Sequence, residues 1–141
     1  MRHVIPLELI RLEEDNYHLA VKSVFESGNE ALWVIDTGAS KTVFDRSLTT
    51  DYDMLSSGED VSVRSAGIGA DQMETPLGML HPFRIGNVLI KPMKAALLDL
   101  SHINKLYYHA VEREICGLMG SDFLLENKAV IDYSKLVLKI R

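Results

Sequence analysis

Trp33-Val34-Ile35-Asp36-Thr37-Gly38-Ala39-Ser40-Lys41-Thr42-Val43-Phe44 is the stretch on which the reading of this chain turns. An apolar run ends in a carboxylate, and a hydroxyl, a glycine, a small residue and a second hydroxyl follow. A carboxylate set among apolar neighbours is costly unless something holds it. Asp36 is therefore either a turn residue, for which Asp-Thr-Gly is well suited, or an acid kept for its chemistry. The second reading gives every position a task. Trp33 to Ile35 form an apolar strand that keeps the site low in dielectric. Gly38 permits the turn and lets its N–H approach the carboxylate. The Thr37 and Ser40 hydroxyls can fix the loop through bonds to the backbone.

The chemistry open to such an acid is restricted. A single carboxylate at neutral pH is a weak base and a poor acid. Two carboxylates about 3 Å apart cannot both ionise, so they share a proton. One then takes a proton from water while the other gives one to a carbonyl oxygen. That is general acid–base hydrolysis of an amide without a covalent intermediate.

Outward from the loop, the chain reads as many short strands. Val4 to Ile10 is expected as a strand, with Pro6 marking an edge or start. Tyr17 to Phe25 and Ala31 to Ile35 follow it in a meander, with Ser27-Gly28-Asn29 as a turn. Thr42 to Phe44 is a further strand, and Asp45 is placed to cap a helical turn over Arg46 to Leu48. Thr49 to Asp60 is polar and reads as a loop. Val61 to Arg64 and Met73 to Ile85 bracket a glycine-bearing tip, a long hairpin. After a tight turn at Gly86-Asn87, Val88 to Leu98 returns as a strand interrupted by Pro92.

Ser101 to Arg113 is the clearest helix. Ser101 can cap it, and Ile103, Leu106, Tyr107, Ala110 and Val111 share one apolar face. Ile115 to Met119 is a short apolar run ending in Gly120, and Ser121 to Leu125 a capped helical turn. Ala129 to Asp132 and Leu136 to Ile140 close the chain around a turn at Tyr133-Ser134-Lys135. There is also a faint echo: Leu118-Met119-Gly120-Ser121 repeats the pattern of Val34-Ile35-Asp36-Thr37. It suggests two related halves packed face to face, only the first keeping the acid. The expected class is all-β, a barrel with one or two short helices, in one domain over 1–141.

Trp33 to Ser40 resembles the catalytic loop of retropepsin-like aspartic proteases. Gly117-Leu118-Met119-Gly120-Ser121-Asp122-Phe123-Leu124 is similar to that family's second motif, an apolar pair followed by glycine. Ala129 to Tyr133 and Leu136 to Ile140 resemble the closing strands of its bacterial, single-lobe members. From ordinary residue usage, Asp-Thr-Gly-Ala/Ser after two apolar residues occurs by chance in roughly one chain in a couple of thousand. The second motif downstream, with a hairpin between, makes the likeness specific.

The resemblance implies a retropepsin-like closed barrel and a water-mediated aspartic endopeptidase with no cofactor and no metal. Asp36 is then the catalytic acid–base, with Thr37, Gly38, Ala39 and Ser40 as its scaffold. Gly67, Ile68, Gly69 and Ala70 form the flap tip over a peptide or protein substrate, and Leu118, Met119 and Gly120 form the second-motif loop. The flap segment lacks the aromatic residue of many relatives, and Tyr17 and Tyr52 are the nearest alternatives in sequence. Only one Asp-Thr-Gly occurs, so one chain cannot build the pair of acids. The resemblance implies a twofold homodimer with one Asp36 from each copy at the axis. It also implies Thr37 bracing the partner's loop and terminal strands joining across the dimer. The alternative is a catalytically silent peptide-binding or scaffolding domain of the same fold.

Other classes fare worse. Acid-hydroxyl-glycine loops hold phosphate in actin-like and sugar-kinase ATPases, but those need two large domains and a second phosphate loop. Gly67-Ile68-Gly69 lacks the strand–loop–helix context of a nucleotide loop. His3, His18, His81, His102 and His109 show no metal-ligand spacing. Asp122 and Asp132 are tempting second acids, but Asp122 reads as a helix-start residue and Asp132 as a strand end. The net charge of −5, with no basic block, gives no expectation of nucleic-acid binding. The single cysteine, Cys116, forms no intramolecular disulfide and reads as a small core residue. No stretch approaches the ~18 apolar residues of a membrane span, and a cytoplasmic location is the expectation.

Overall fold

In the computed structural model, residues 2–55, 62–65 and 73–141 are described. Along the chain run β1 (His3–Pro6), β2 (Glu8–Glu13), β3 (Asn16–Phe25), β4 (Glu30–Ile35), β5 (Val43–Asp45) and a 3-10 turn at Thr49–Asp51. Then come β6 (Tyr52–Met54), β7 (Ser62–Ser65), β8 (Met73–Leu80), β9 (Phe83–Ile85), β10 (Val88–Ile90) and β11 (Met93–Leu98). The chain finishes with α1 (Ser101–Val111), β12 (Gly117–Met119), α2 (Ser121–Glu126), β13 (Val130–Asp132) and β14 (Val137–Ile140). The all-β expectation holds, with two α-helices among the described residues. The putting-together is one curled sheet in the order β10-β9-β3-β4-β12-β5-β11-β8-β6, with β2 added on β3 and β7 on β8. A small sheet, β1-β14-β13, stands beside it.

Alternation along the strands divides the apolar residues between two faces. Leu19 and Val21 of β3, Trp33 of β4, Phe44 of β5 and Met119 of β12 pack into the main core. Trp33 lies 5.3 Å from the Phe83 ring and 5.5 Å from Phe44, and its indole N–H donates to Ser23 Oγ at 3.0 Å. A buried indole keeps its burial energy only when that N–H has such a partner. On the other face, Ala20, Leu32 and Val34 pack with Ile10, Ile115 and Tyr107 of α1. A neighbouring cluster of Val43, Leu77, Ala96 and Leu100 joins it through Ile103 and Leu118.

Several elements differ from expectation, each for a local reason. The first strand is two. β1 leaves at Pro6 to pair with β14, while β2 pairs with β3. Pro6 lacks an N–H and sits on an edge strand, where none is needed. The strand read over Met73 to Ile85 breaks at His81-Pro82 into β8 and β9, which pair with different neighbours. Asp45 lies in β5 and accepts from the Ser47 N–H and hydroxyl, making a turn, and the helical turn falls three residues later. Tyr52 to Met54, read as loop, pairs with β8. The terminal strand β14 is flanked by β1 and β13 within the chain.

The largest difference is the face of α1. Leu106 and Ala110 are exposed, Leu106 at 61%, whereas Asn104 is buried. The helix turns this way because the Asn104 amide donates to the Ile115 carbonyl at 3.0 Å and accepts from the Ile115 N–H at 2.7 Å. These two bonds satisfy buried backbone groups of the segment leading into β12, which hydrophobic periodicity cannot register. Ser101 does not cap the helix, because Asp99 Oδ1 accepts its N–H instead. The helix ends at Val111 because Glu112 adopts a left-handed conformation, φ 56°. Asn104→Ala should cost about 2 kcal/mol through the two orphaned groups, seen as a lower denaturation midpoint. A loss below ~0.5 kcal/mol would mean that water replaces the side chain.

Candidate functional site

β4 delivers Asp36 to the surface from the sheet's centre. Its neighbour β12 runs parallel to it, pairing Gly117 with Trp33, Leu118 with Val34 and Met119 with Ile35. The same strand pairs antiparallel with β5 on its other side. The loop between β4 and β5 thus arches over the end of β12. The two echoing tetrapeptides lie side by side in one sheet rather than in halves packed face to face.

This threading depends on two glycines. A Cβ at Gly117 would lie 2.1 Å from the Val43 carbonyl oxygen and 2.7 Å from the Trp33 ring. A Cβ at Gly120 would lie 2.8 Å from the Ala39 carbonyl oxygen. The second motif therefore supports the Asp36 loop at van der Waals distance, and no side chain, acid or otherwise, fits at 120.

The loop itself is held by the backbone. The Asp36 N–H donates to the Met119 carbonyl at 2.9 Å, and the Ala39 N–H donates to the Asp36 carbonyl at 3.1 Å. The Gly38 N–H donates to Asp36 Oδ1 at 3.0 Å, and a Cβ at 38 would stand 3.3 Å from that oxygen. The Ser121 N–H donates to the Ala39 carbonyl at 2.7 Å, and its hydroxyl reaches the Ser40 carbonyl at 3.5 Å. Asp36 is half-buried, as is Ala39, while Thr37, Gly38 and Ser40 are exposed. Met119 and Gly120 lie against the loop, and Leu118 pairs with Val34 and Val43. The segment 67–70 lies outside the described residues.

The hydroxyl that locks the loop is neither Thr37 nor Ser40 but Thr42, which is 1% exposed. Its Oγ1 accepts from the Gly120 N–H at 3.1 Å and donates to Asp122 Oδ1 at 2.7 Å. Asp122 Oδ1 also accepts the N–H groups of Thr42, at 2.9 Å, and Phe123, at 2.8 Å. Asp122 is thus spent on holding the two motifs together and the first turn of α2. Asp132 is spent on its turn, accepting from the Ser134 hydroxyl and the Lys135 N–H. Neither is placed as a second acid. Sequence reading missed Thr42 because its partner stands 80 positions away. Asp122→Ala should destabilise the chain by about 2 kcal/mol, measured by urea denaturation. An unchanged midpoint would refute this account of the clamp.

A polar contact lies on the face covered by α1. Tyr107, 2% exposed, is hydrogen-bonded through its hydroxyl to His18 Nδ1. Burial, and secondarily the Asp36 charge, push the Tyr107 hydroxyl up to about 12. Neither residue carried a sequence signal for this placement. Tyr107 read as one apolar position of a helix, and His18 as a histidine without metal-ligand spacing.

A family model described as aspartyl protease matches residues 22–123. No curated protein matches the sequence. Among solved structures, the chain is similar to the retroviral protease-like domain of Ddi1 from Leishmania major, with TM-score 0.56 and 15% identity. That likeness covers 87% of each chain. It is also similar to a retropepsin-like aspartic protease from Rickettsia conorii, with TM-score 0.49 and 17% identity over 99% of this chain and 89% of the other.

Proposed function

Since the chain belongs to the aspartyl protease family and has a retropepsin-like fold, we propose that it is an aspartic endopeptidase acting as a homodimer. The observation that carries the reading is the pairing of β4 with β12. It presents Asp36 on a braced loop and puts Gly120, with no room for a side chain, where the echo would need the second acid. A second copy, related by a twofold axis, supplies that acid as its own Asp36.

The two carboxylates share one proton. The ionised one takes a proton from water as it attacks the peptide carbonyl, and the protonated one gives its proton to the carbonyl oxygen. The Gly38 N–H donates to Asp36 Oδ1 and so orients the carboxylate. Peptides or proteins are the substrates of this reading.

The test incubates the chain with a mixed peptide library from pH 4 to 7.5 and reads the cuts by mass spectrometry. The assay is repeated across protein concentrations at which sedimentation follows dimerisation. Cleavage that rises with the dimer fraction is the expected result. A chain that is dimeric and cuts nothing would overturn the peptidase reading.

A further inference from the structure

The main sheet ends on β10, and an open cleft of about 550 Å³ runs along that strand. Its walls are β10, the link from β10 to β11, the helix α2, and Lys41 of the loop that carries Asp36. We propose that the cleft and the β10 edge form a docking groove for an extended acidic segment of the peptide or protein substrate, held as an added strand. The proposal deepens the peptidase reading and rests on it for the identity of the occupant.

The backbone supplies the first half of the groove. Among the described residues β10 pairs with β9 alone, and Leu89 stands opposite Arg84. The two-residue turn at Gly86-Asn87 makes Val88 and Ile85 a hydrogen-bonded pair, and Ile90 and Phe83 the next one. Alternation then turns the N–H and carbonyl of Leu89 away from β9, toward an incoming strand. Leu89 is itself exposed. Pro92, with no N–H, ends the usable edge, so the added strand is short.

Charge supplies the second half. The chain has a net charge of −5, yet Lys41, Lys91, Lys94 and Arg141 line this cleft against the carboxylates of Asp122 and Glu126. Asp122 is already committed. Its Oδ1 accepts three hydrogen bonds, and Lys41 Nζ stands 4.0 Å from its Oδ2. Positive charge is therefore in excess among the side chains that line the cleft. Val88, Met93 and Phe123 add an apolar wall, so apolar residues between the acids of the occupant gain burial. A second copy of this edge fits less well. It would bring an equally cationic cleft against the first, and like charges oppose that pairing.

The test follows the fluorescence anisotropy of a labelled peptide of alternating Glu and Val on the full chain carrying Asp36→Asn, so that the probe is not consumed. Saturable binding that weakens severalfold as salt rises from about 50 to 500 mM is expected. The same peptide with Lys in place of Glu should not bind. Methylating the peptide's backbone nitrogens removes its strand hydrogen bonds and keeps its charge, and should cost about tenfold or more. On the protein side, Lys91 is exposed, and Lys91→Glu should weaken binding roughly fivefold with the denaturation midpoint unchanged. In the cleavage assay, a library peptide extended by the acidic segment should show a lower KM at the same kcat. Lys91→Glu should erase that gain and leave the unextended peptide unaffected.

Equal binding of the methylated peptide would overturn the added strand. Binding indifferent to both salt and Lys91→Glu would overturn the groove. A dimer that Lys91→Glu weakens in sedimentation would assign the edge to a second copy and overturn the proposal. Salt-sensitive binding by a chain that cuts nothing would support the groove and refute the peptidase reading. Cleavage with no preference for the acidic extension would do the reverse, so the two failures are separable.

Discussion

Asp36→Asn is expected to lower peptide cleavage by about 10³-fold or more, the scale of losing a positioned acid–base group, with the fold unchanged. The side chains are isosteric, and an Asn Oδ1 can accept the Gly38 N–H as Asp36 does. Removing one carboxylate from each copy also removes like-charge repulsion at the axis, so dimerisation should not weaken. The sharper form of the experiment mixes chains. If the acids are supplied in pairs, a threefold excess of Asp36→Asn leaves only about one quarter of native chains paired with a native partner. Activity should fall to that level once the mixture has exchanged. Activity that ignores the added variant would mean that one chain cuts alone. Equal cleavage by native and variant would remove Asp36 from the chemistry altogether.

Gly117→Ala is expected to be the most damaging small substitution, costing ~3 kcal/mol or more and in practice unfolding much of the protein. Overpacking a core commonly costs 1–3 kcal/mol when side chains can shift. Here the nearest atom is a backbone oxygen, Val43 O at 2.1 Å, and behind it stands the fully buried Trp33 ring. To admit the methyl group, β5 must move away from β12, which breaks their pairing and lifts Thr42 from Gly120. Activity and stability should fall together. Circular dichroism and urea denaturation read this directly, and a midpoint within ~0.5 kcal/mol of native would contradict β12 as the strand between β4 and β5.

Much of the candidate site's geometry was legible because it is local. The apolar run of β4, the carboxylate at its end and the glycine two positions on are fixed by neighbours in sequence, and the Gly38 N–H meets Asp36 Oδ1 as the turn chemistry requires. Cys116 falls in the core, and burial pushes its thiol well up. Pro92 separates β10 from β11 for the reason any proline does. The helix α1 was legible as a helix, but not its orientation, because its buried Asn104 serves backbone groups eleven positions away.

The sequence by itself determined the acid, its turn and the β-rich class, since alternation, apolar runs and Asp-Thr-Gly act over a few residues. Tertiary structure alone decided that β12 lies between β4 and β5, that Thr42 and Asp122 clamp the two motifs, and that His18 meets Tyr107 under α1. These contacts span 80 and 89 positions. Such pairings are chosen by which buried donors and acceptors the closed core leaves to be satisfied, and no local pattern carries that information.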